Sequence, residues 1–421
     1  MHIVAAVEHL ESRTFFASGL SATYYDTPDF AGHSVNRVDP NVALSGTNHK
    51  RPAPGIKGNT YSVRWTGLLR PAATNTYTFN IRHSEGVRMW VGGQRVIDNW
   101  KPQAPVSDAG SIKLTAKRFY DIRIEYFDKL RDGGISLTWN TPGAAPAFIP
   151  TDKLTAYDQR FAVIGDFGFK GAAEPKMARL VQSWRPEFIV TVGDNNYPDG
   201  EAFTIDDRIG QYFYNYIGNY QGKYGKAPKV NGFFPALGNH DWGHDTVQPH
   251  VDYFTLPGNE RYYDFVKGPI HFFILDSDKH EPDGSNFSSK QGKWFQKAIA
   301  ASTSPFNIVA FHHAAYSSGE HGSSAYMQWP FKKLGVDLVL SGHDHDYERL
   351  NIDGLTYFVD GAGGGTRKIG SGIKGSIVRN DAPGGALLVQ NTGSMITLQY
   401  QLPDGTIIDT FTTDSAATSR T

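Results

Sequence analysis

The chain has 421 residues, no cysteine and an almost balanced charge, with 41 lysines and arginines against 42 aspartates and glutamates. The balanced charge removes the electrostatic case for nucleic acid or an anionic membrane surface as a partner. The absence of cysteine excludes disulfides and thiolate metal sites. No apolar run reaches transmembrane length, and the length predicts two or three domains.

The first ten residues carry no basic flank and only a short apolar stretch. This pattern is not typical of a signal peptide. From these residues, the protein is either cytosolic or its presequence is missing from the chain.

From about residue 19 to residue 158 the sequence shows strand periodicity and no helical periodicity. Apolar and polar residues alternate, which predicts half-buried antiparallel strands. The alternating runs lie at 77–81, 87–91, 120–126 and 135–139. Between two of them, Gly92-Gly93 is a strong hairpin signal. Several short strands at this spacing predict a β-sandwich or barrel.

Five phrases of this region, at 19–25, 63–67, 86–91, 96–100 and 124–126, resemble the protective-antigen-type β-sandwich, a lectin-like module. The resemblance covers residues 18–157 and implies attachment to glycans or cell surfaces. Some members hold calcium with paired aspartates, but the corresponding turn here, 83–86, reads His-Ser-Glu-Gly. A structural or interaction sandwich without a sugar site is equally compatible with the sequence. Trp90 and Trp100 are more typical of core or turn packing than of a sugar platform.

After Arg160 the pattern changes to alternating strands and helices. A buried strand at 161–165, an amphipathic helix at 174–184 and a strand at 188–192 predict a right-handed βαβ unit. Further strands are predicted at 232–237, 270–275, 307–311 and 336–340, a second helix at 288–301, and a strand-rich tail from 355 to 411.

Five of these segments end in metal-competent side chains. In chain order these side chains are Asp166, Asp194 with Tyr197, Asn239, His312, and His343 with His345. Strand ends of this kind form the mouth of an open sheet, where ligands bind. Each alone has an ordinary explanation, such as an Asx turn after Gly-Asp, but their recurrence argues against chance. Oxygen and imidazole donors without sulfur suit Fe, Mn and Zn.

The blocks Gly-Asp-x-Gly, Gly-Asp-x-x-Tyr, Gly-Asn-His-Asp, Val-x-x-His and Gly-His-x-His resemble those of the calcineurin-like metallophosphoesterases. Tyr197 points to the purple acid phosphatases, particularly the small tartrate-resistant type. The predicted fold is therefore a multidomain α+β protein, with an antiparallel β-sandwich at 18–157 and a four-layer α/β/β/α domain at 158–412. The resemblance also favours a secreted or periplasmic location.

This resemblance implies a centre of two metal ions bridged by Asp194. The first ion, Fe(III), would be held by Asp166, Asp194, Tyr197 and His345. The second ion, Fe(II), Zn or Mn, would be held by Asp194, Asn239, His312 and His343. In the family, the segment matching Glu320-His321-Gly322 carries a histidine that faces the substrate. His313 and Ala314 stand where the family often has an aromatic residue and a proline, which leaves the pocket shape open.

Two cations about 3.5–4 Å apart clamp a phosphoryl group and activate a water for in-line attack. The expected activity is thus that of an acid phosphatase, in which a metal-bound hydroxide attacks a phosphate monoester. A phenolate from Tyr197 would stabilise Fe(III) and give a charge-transfer colour. Asn239, as a neutral ligand, would leave the second ion free to bind a substrate oxygen.

The leaving alkoxide needs a proton, and histidine, with an unperturbed pKa of about 6.5, can supply it. The candidates are His240 and His321, so the predicted catalytic residues are His240, His321 and Asp194. The residues predicted to contact the substrate are Asn239, His240 and His321. His244 and His250 are more typical of surface loop positions, and Tyr316 is a candidate for lining the cleft.

Two other functions fit the sequence. One is a phosphodiesterase or nucleotide hydrolase of the same superfamily, against which Tyr197 argues. The other is a glycan-binding module that carries an inactive phosphatase domain, against which the intact ligand set argues.

Overall fold

The computed structural model describes residues 17–45, 51–57, 60–129, 133–157, 159–243, 246–393 and 395–414. The chain divides into two units between Asp158 and Gln159, with Thr392–Ser394 grouped with the first unit. In the described ranges, none of the helices has the length and apolar character of a membrane-spanning segment.

The first unit consists of antiparallel strands. They are β1 (Ala17–Ser18), β2 (Leu20–Tyr25), β3 (Ser34–Asp39), β4 (Ala43–Leu44), β5 (Tyr61–Leu69), β6 (Asn75–His83), β7 (Gly86–Val91), β8 (Gln94–Asn99), β9 (Val106–Leu114), β10 (Tyr120–Asp128), β11 (Ile135–Asn140) and β12 (Leu154–Ala156). One sheet has the order β1-β12-β5-β10-β7-β8, with β2 on β5 and β3 on β2, and the other has the order β4-β11-β6-β9. A 3-10 turn at Thr151–Lys153 precedes β12.

Burial alternates along β2 and β6, whereas β5, β7 and β10 are buried at almost every residue, so the prediction of half-buried strands at 87–91 and 120–126 is wrong. In β6 the side chains of Tyr77, Phe79 and Ile81 are buried, while their neighbours are more exposed. Period-two burial of this kind places one face of each sheet on a shared apolar core. Gly92 and Gly93, with φ of 58° and 75°, form the tight turn between β7 and β8. The predicted antiparallel β-sandwich is confirmed.

The second unit contains two mixed sheets and short helices. Its strands are β13 (Gln159–Ile164), β14 (Phe188–Thr191), β15 (Phe233–Pro235), β16 (Tyr263–Lys267), β17 (Ile270–Ile274), β18 (Phe306–His313), β19 (Leu338–Gly342), β20 (Tyr347–Ile352), β21 (Leu355–Asp360), β22 (Ser376–Asn380), β23 (Ala386–Asn391), β24 (Met395–Gln401) and β25 (Ile407–Asp414). Its helices are α1 (Glu174–Trp184), α2 (Ala202–Ile205), α3 (Gln211–Phe213), α4 (Gln248–Tyr253) and α5 (Lys290–Ala300). Shorter helical turns lie at Asp206–Gly210, Ala325–Met327 and Lys332–Leu334.

One sheet has the order β15-β14-β13-β23-β24-β25, and the other has the order β16-β17-β18-β19-β21-β20-β22. Strands β13, β14 and β15 are parallel neighbours, as are β17, β18, β19 and β21. Parallel neighbours end at the same edge of a sheet. Because β13 also pairs with β23, the first sheet joins the beginning of this unit to its end.

Aromatic side chains fill the space between the two sheets. Phe161 stacks on Phe188 with ring centroids 4.7 Å apart, and Phe272 packs edge-on against Phe161 at 5.3 Å. The next residue of β17, Phe273, faces the other way and packs against Phe295 of α5 at 5.4 Å. Helix α5 therefore covers the outer face of the second sheet of this unit, the one that contains β17. Helix α1 packs its buried apolar side chains on the first sheet. The predicted layers, helix, sheet, sheet and helix, are confirmed.

We expect Phe161→Ala to lower the free energy of unfolding by about 3–5 kcal/mol, because it leaves a cavity between the sheets. Phe203 is 80% exposed and provides the matched control. Phe203→Ala should change the free energy of unfolding by less than about 0.5 kcal/mol. Denaturation in guanidinium chloride, followed by fluorescence, measures both variants. Equal shifts in the two variants would contradict this account of the core.

Candidate metal centre

The predicted ligands follow the carboxyl ends of parallel strands in both sheets. Asp166, Asp194 and Asn239 come after β13, β14 and β15, whereas His312 lies in β18 and His343 follows β19. Hydrogen bonds join the two sets: the Asp166 N–H donates to the Gly193 carbonyl (3.1 Å), and the His343 N–H donates to Asp166 Oδ2 (3.0 Å). The strand order of the two sheets thus brings the residues to one place.

Three of these residues adopt a left-handed backbone. The φ angles of Asp166, Asp194 and His343 are 52°, 51° and 71°. For residues other than glycine this conformation is uncommon, costs about 1–3 kcal/mol and is concentrated at functional sites. The backbone at these positions is therefore set by where the side chain must point rather than by local preference.

One group of predicted metal-ligand atoms surrounds the Tyr197 hydroxyl. It lies 3.0 Å from Asp194 Oδ2, 3.2 Å from His345 Nε2 and 3.4 Å from Asp166 Oδ1. His345 Nε2 and Asp166 Oδ1 are 3.5 Å apart. We call these four residues the tyrosine group.

A second group of donors surrounds His312 Nε2. This atom lies 3.2 Å from Asp194 Oδ2, from Asn239 Oδ1 and from His343 Nδ1. We call these residues the histidine group. Asp194 Oδ2 belongs to both groups, so the structure brings together all seven side chains predicted as ligands.

Backbone groups orient the donors. The carbonyl of Val192 accepts a hydrogen bond from His312 Nδ1 (2.9 Å). In a neutral His312 the proton therefore sits on Nδ1, and the lone pair of Nε2 is available to a metal ion. The His240 N–H donates to Asp194 Oδ1 (2.9 Å), which leaves Oδ2 facing the two groups. The second oxygen of Asp166 is likewise occupied by the His343 N–H.

The buried carboxylates concentrate negative charge. Burial, together with the Asp194 carboxylate, raises the pKa of Asp166 well above its usual value. Burial also opposes ionisation of Asp194, but the charge and hydrogen bond of His312 outweigh it and lower the pKa of Asp194. Burial works against the charged form of His312 as well, yet the Asp194 and Asp166 carboxylates raise its pKa to about 10. A positive charge close to the Asp166 and Asp194 carboxyl groups is therefore electrostatically favoured.

Other imidazoles of the site stay neutral. Burial, followed by the charge of His312, lowers the pKa of His343 and sets that of His313 at about 3. Burial and the positive charge of Arg367 lower the pKa of His345 to about 4. Metal ligands must be unprotonated, so His343 and His345 are in the form a cation requires.

The two histidines predicted to protonate the leaving group border the donors. The His240 ring lies 4.2 Å from that of Tyr197, its Nδ1 contacts the Pro198 carbonyl, and its Nε2 is 4.0 Å from Asp194 Oδ2. His321 is exposed, and its ring stacks on His343 with centroids 4.3 Å apart.

Sequence reasoning missed the residues that hold these loops. Asp344 is buried and accepts the N–H of His321 (2.6 Å), the N–H of Gly322 (3.2 Å) and the hydroxyl of Ser317 (2.5 Å). Asp241 accepts N–H groups of Asn195 and Gly238, at 3.1 and 2.9 Å. Both aspartates stand inside the quoted Gly-His-x-His and Gly-Asn-His-Asp blocks, which was the available signal.

His313 also lies at the site. Its ring is 4.4 Å from that of His343, and Ser277 Oγ lies 2.9 Å from its Nδ1. Ser277 is fully buried, so this contact fixes the His313 ring. Ala314 is buried in the apolar cluster on the outer face of the second sheet.

Three further expectations have different outcomes. His250, predicted as a surface loop residue, is 3% exposed, lies in α4 and packs on Phe254 at 4.7 Å, so that prediction is wrong. Burial lowers its pKa to about 3. Tyr316 packs edge-on against Tyr357 at 5.0 Å, on the outer side of the second sheet. His244 lies outside the described residues.

Comparison with known families matches both parts of the chain. The PA14 domain family matches residues 17–153, and the calcineurin-like phosphoesterase family matches residues 159–347. Both resemblances inferred from the sequence are confirmed.

Individual relatives match one part each. The anti-sigma-I factor RsgI3 of Acetivibrio thermocellus is 36% identical over 141 residues, which cover 34% of this chain and 22% of that protein. Tartrate-resistant acid phosphatase type 5 of Mus musculus is 27% identical over 267 residues, which cover 55% of this chain and 78% of that protein. This chain therefore spans most of the second relative and a small part of the first.

Among solved structures, the purple acid phosphatase PPD1 from yellow lupin (Lupinus luteus) seeds matches with a TM-score of 0.51 and 16% identity. The match covers 91% of this chain and 76% of that chain. At this identity the match shows a shared fold.

We expect Gly238→Ala to displace the Asp194 carboxylate, because an added Cβ would lie 2.2 Å from Asp194 Oδ1. Displacement of the Asp194 carboxylate should lower the affinity for metal ions by about tenfold or more. Gly365→Ala is the matched control, since a Cβ there meets nothing within 4 Å. Elemental analysis after exhaustive dialysis measures retention, and equal metal content in the two variants would contradict the placement of Asp194.

Proposed function

We propose that this chain, which joins a PA14 domain to a calcineurin-like phosphoesterase domain of the purple acid phosphatase type, hydrolyses phosphate monoesters at a binuclear metal centre. The proposed domain bounds are 18–157 and 158–412. Its relatives include acid phosphatases from mammals and plants. The single observation that carries the proposal is Asp194 Oδ2, which faces two separate groups of donors.

The donor set fits a pair of hard or borderline cations. It combines carboxylate, phenol, amide and imidazole donors, and the donor atoms of Asp194, His312 and His343 all lie within 4.8 Å of one another. We assign Fe(III) to the tyrosine group, because phenolate and carboxylate suit a trivalent ion. To the histidine group we assign a divalent ion, Fe, Zn or Mn. When bound, such a pair supplies Lewis acidity toward the phosphoryl oxygens and a nucleophilic water near neutral pH.

The side chains around the donors carry the remaining tasks. His240, with Nδ1 held by the Pro198 carbonyl, directs Nε2 toward the Asp194 carboxylate. His321 is exposed beside His343, where an ester leaving group can reach it. We propose that these two histidines and the Asn239 amide bind the phosphate. We also propose that the two histidines transfer a proton to the leaving alkoxide. The products are an alcohol and inorganic phosphate.

A phosphodiesterase or nucleotide hydrolase of the same superfamily is the alternative reaction. The Tyr197 hydroxyl lies among Asp194, Asp166 and His345, which favours the monoesterase. Its burial and the two neighbouring carboxylates raise the pKa of Tyr197, so this phenol would release its proton to solvent only when a strongly charged cation stabilises the phenolate.

For the first unit we propose glycan binding, supported by its match to the PA14 family. Trp90 and Trp100 are engaged in packing contacts, as the sequence predicts. Trp90 is 9% exposed and lies under the guanidinium of Arg123 at 3.9 Å, and Trp100 lies between Phe30 and the guanidinium of Arg88. This proposal is separate from the phosphatase, because an intact donor set argues against a vestigial second unit.

Substitution of Tyr197 by Phe removes the phenol from the tyrosine group and leaves the histidine group complete. With Fe(III) in the tyrosine group, we expect the purified protein to show a visible absorption band from phenolate-to-iron charge transfer, and we expect Tyr197→Phe to lack that band. Asp194→Ala should lose both ions and lower turnover by about 10³-fold or more. Elemental analysis and visible spectra check both variants. Full turnover in Asp194→Ala would refute the binuclear assignment.

His321→Ala should lower kcat for an alkyl phosphate such as glycerol 2-phosphate by about 10²-fold, because proton transfer to the alkoxide leaving group is lost, and should lower kcat for p-nitrophenyl phosphate much less, because its phenolate leaves without a proton. The exposed His33 of the first unit, changed to Ala, is the control and should leave kcat unchanged. Steady-state kinetics on p-nitrophenyl phosphate and on bis(p-nitrophenyl) phosphate test the proposal as a whole. Faster hydrolysis of the diester by the unaltered protein would favour the alternative reaction.

A further inference from the structure

A cationic side chain stands beside the donors without contributing to either group. Arg367 lies in the loop that follows β21, and its N–H donates to the His345 carbonyl (2.9 Å). Its backbone is therefore fixed next to a residue of the tyrosine group.

The guanidinium of Arg367 meets a carboxylate from another loop. Arg367 Nη1 lies 3.2 Å from Glu320 Oε1, and the two side chains are 43% and 58% exposed. Glu320 directly precedes His321, whose backbone is held by Asp344. The ion pair thus joins the loop of His321, which we assign to the leaving-group side, to the loop beside His345.

The exposure of this pair argues against a structural role. Exposed ion pairs contribute little to stability, and the Asp344 hydrogen bonds already hold the His321 loop. Another arginine near the donors, Arg208, is differently engaged, because its Nε donates to the Tyr197 carbonyl (3.3 Å). Arg367 therefore remains able to exchange Glu320 for another anion.

We propose that Arg367 is a specificity-determining residue that binds a second anionic group on the leaving-group part of the substrate. The inference rests on the proposed phosphatase function. Arginine pairs with carboxylates and phosphates through two parallel hydrogen bonds, so the substrate class is phosphate monoesters that carry a further carboxylate or phosphate. Glu320 occupies the guanidinium until such a substrate displaces it.

The test compares phenyl phosphate with two derivatives, 4-carboxyphenyl phosphate and benzene-1,4-diyl bisphosphate. The three substrates share the aryl ester and differ only in the second anionic group. Comparing the two derivatives therefore distinguishes recognition of a carboxylate from recognition of a phosphate. Arg367→Gln should raise KM for the preferred derivative by about tenfold. It should leave kcat for all three substrates, and KM for phenyl phosphate, within about twofold. Glu320→Gln should lower KM for the same derivative, because the competing carboxylate is gone.

Lys374→Gln is the control for the loss of one positive charge, since Lys374 is exposed in the same connection between β21 and β22. It should change none of the three KM values by more than about twofold. A KM increase in Arg367→Gln that is equal for phenyl phosphate and both derivatives, or absent for both derivatives, would overturn the inference.

A second readout separates this inference from the proposed function. Calorimetric titration with phenylphosphonate and (4-carboxyphenyl)phosphonate, alongside the corresponding bisphosphonate, measures binding without hydrolysis. If the unaltered protein hydrolyses none of the esters, the proposed function fails, and the phosphonates alone decide the role of Arg367. Tighter binding of an anionic derivative that is lost in Arg367→Gln supports it, and equal dissociation constants refute it.

Discussion

The carboxylate of Asp194 is 1% exposed and lies between donors that come from two different sheets. Removing a charge from water is costly unless partners replace the lost solvation. Here one oxygen receives the His240 N–H, and the other faces the Tyr197 hydroxyl and His312 Nε2. Asp166 is buried beside it, and the Asp194 carboxylate together with burial raises the pKa of Asp166. The elements of the second unit that carry these side chains are arranged around this pair of carboxyl groups.

The architecture holds this pair with rigid parts. Parallel strands carry the donors to a common edge, and the core of Phe161, Phe188 and Phe272 fixes the spacing of the two sheets. The left-handed backbone of Asp166 and Asp194 then turns the side chains toward the other sheet. Local strain is tolerated because the packing around it leaves no alternative conformation. The exposed part of the site is its rim, where Arg367 and Glu320 lie.

The sequence predicted those features that depend on short-range patterns. Helix α1 was predicted with its observed bounds, and the second helix was predicted two residues early, because Ser289 caps it by accepting the Gly292 N–H. Strands β16, β20 and β22 of the second unit were missed, as were β3, β4 and β9 of the first unit. Strand β22 has no buried face to produce an alternating pattern.

Roles that depend on tertiary contacts were out of reach of the sequence. The segment around His250 is polar, and its burial depends on packing against Phe254 and the surrounding helices. Donor residues could be named from their strand-end positions. Asp241 and Asp344 stand inside the same sequence blocks, but their contacts with the loops of Asn195 and His321 could not be inferred from the sequence, and neither could the contact of Ser277 with His313. Their functions exist only once distant loops meet.

The pairing of β13 with β23 has a consequence for biosynthesis. β13 carries the chain into Asp166, yet β23, its neighbour on one side, is synthesised only after β14 to β22. The emerging polypeptide must therefore keep an apolar strand unpaired on one edge while these strands are made. Long-range pairing of this kind forms slowly and leaves strand edges open to association with other chains. Until β23 pairs with β13, this edge of the sheet stays open to such association.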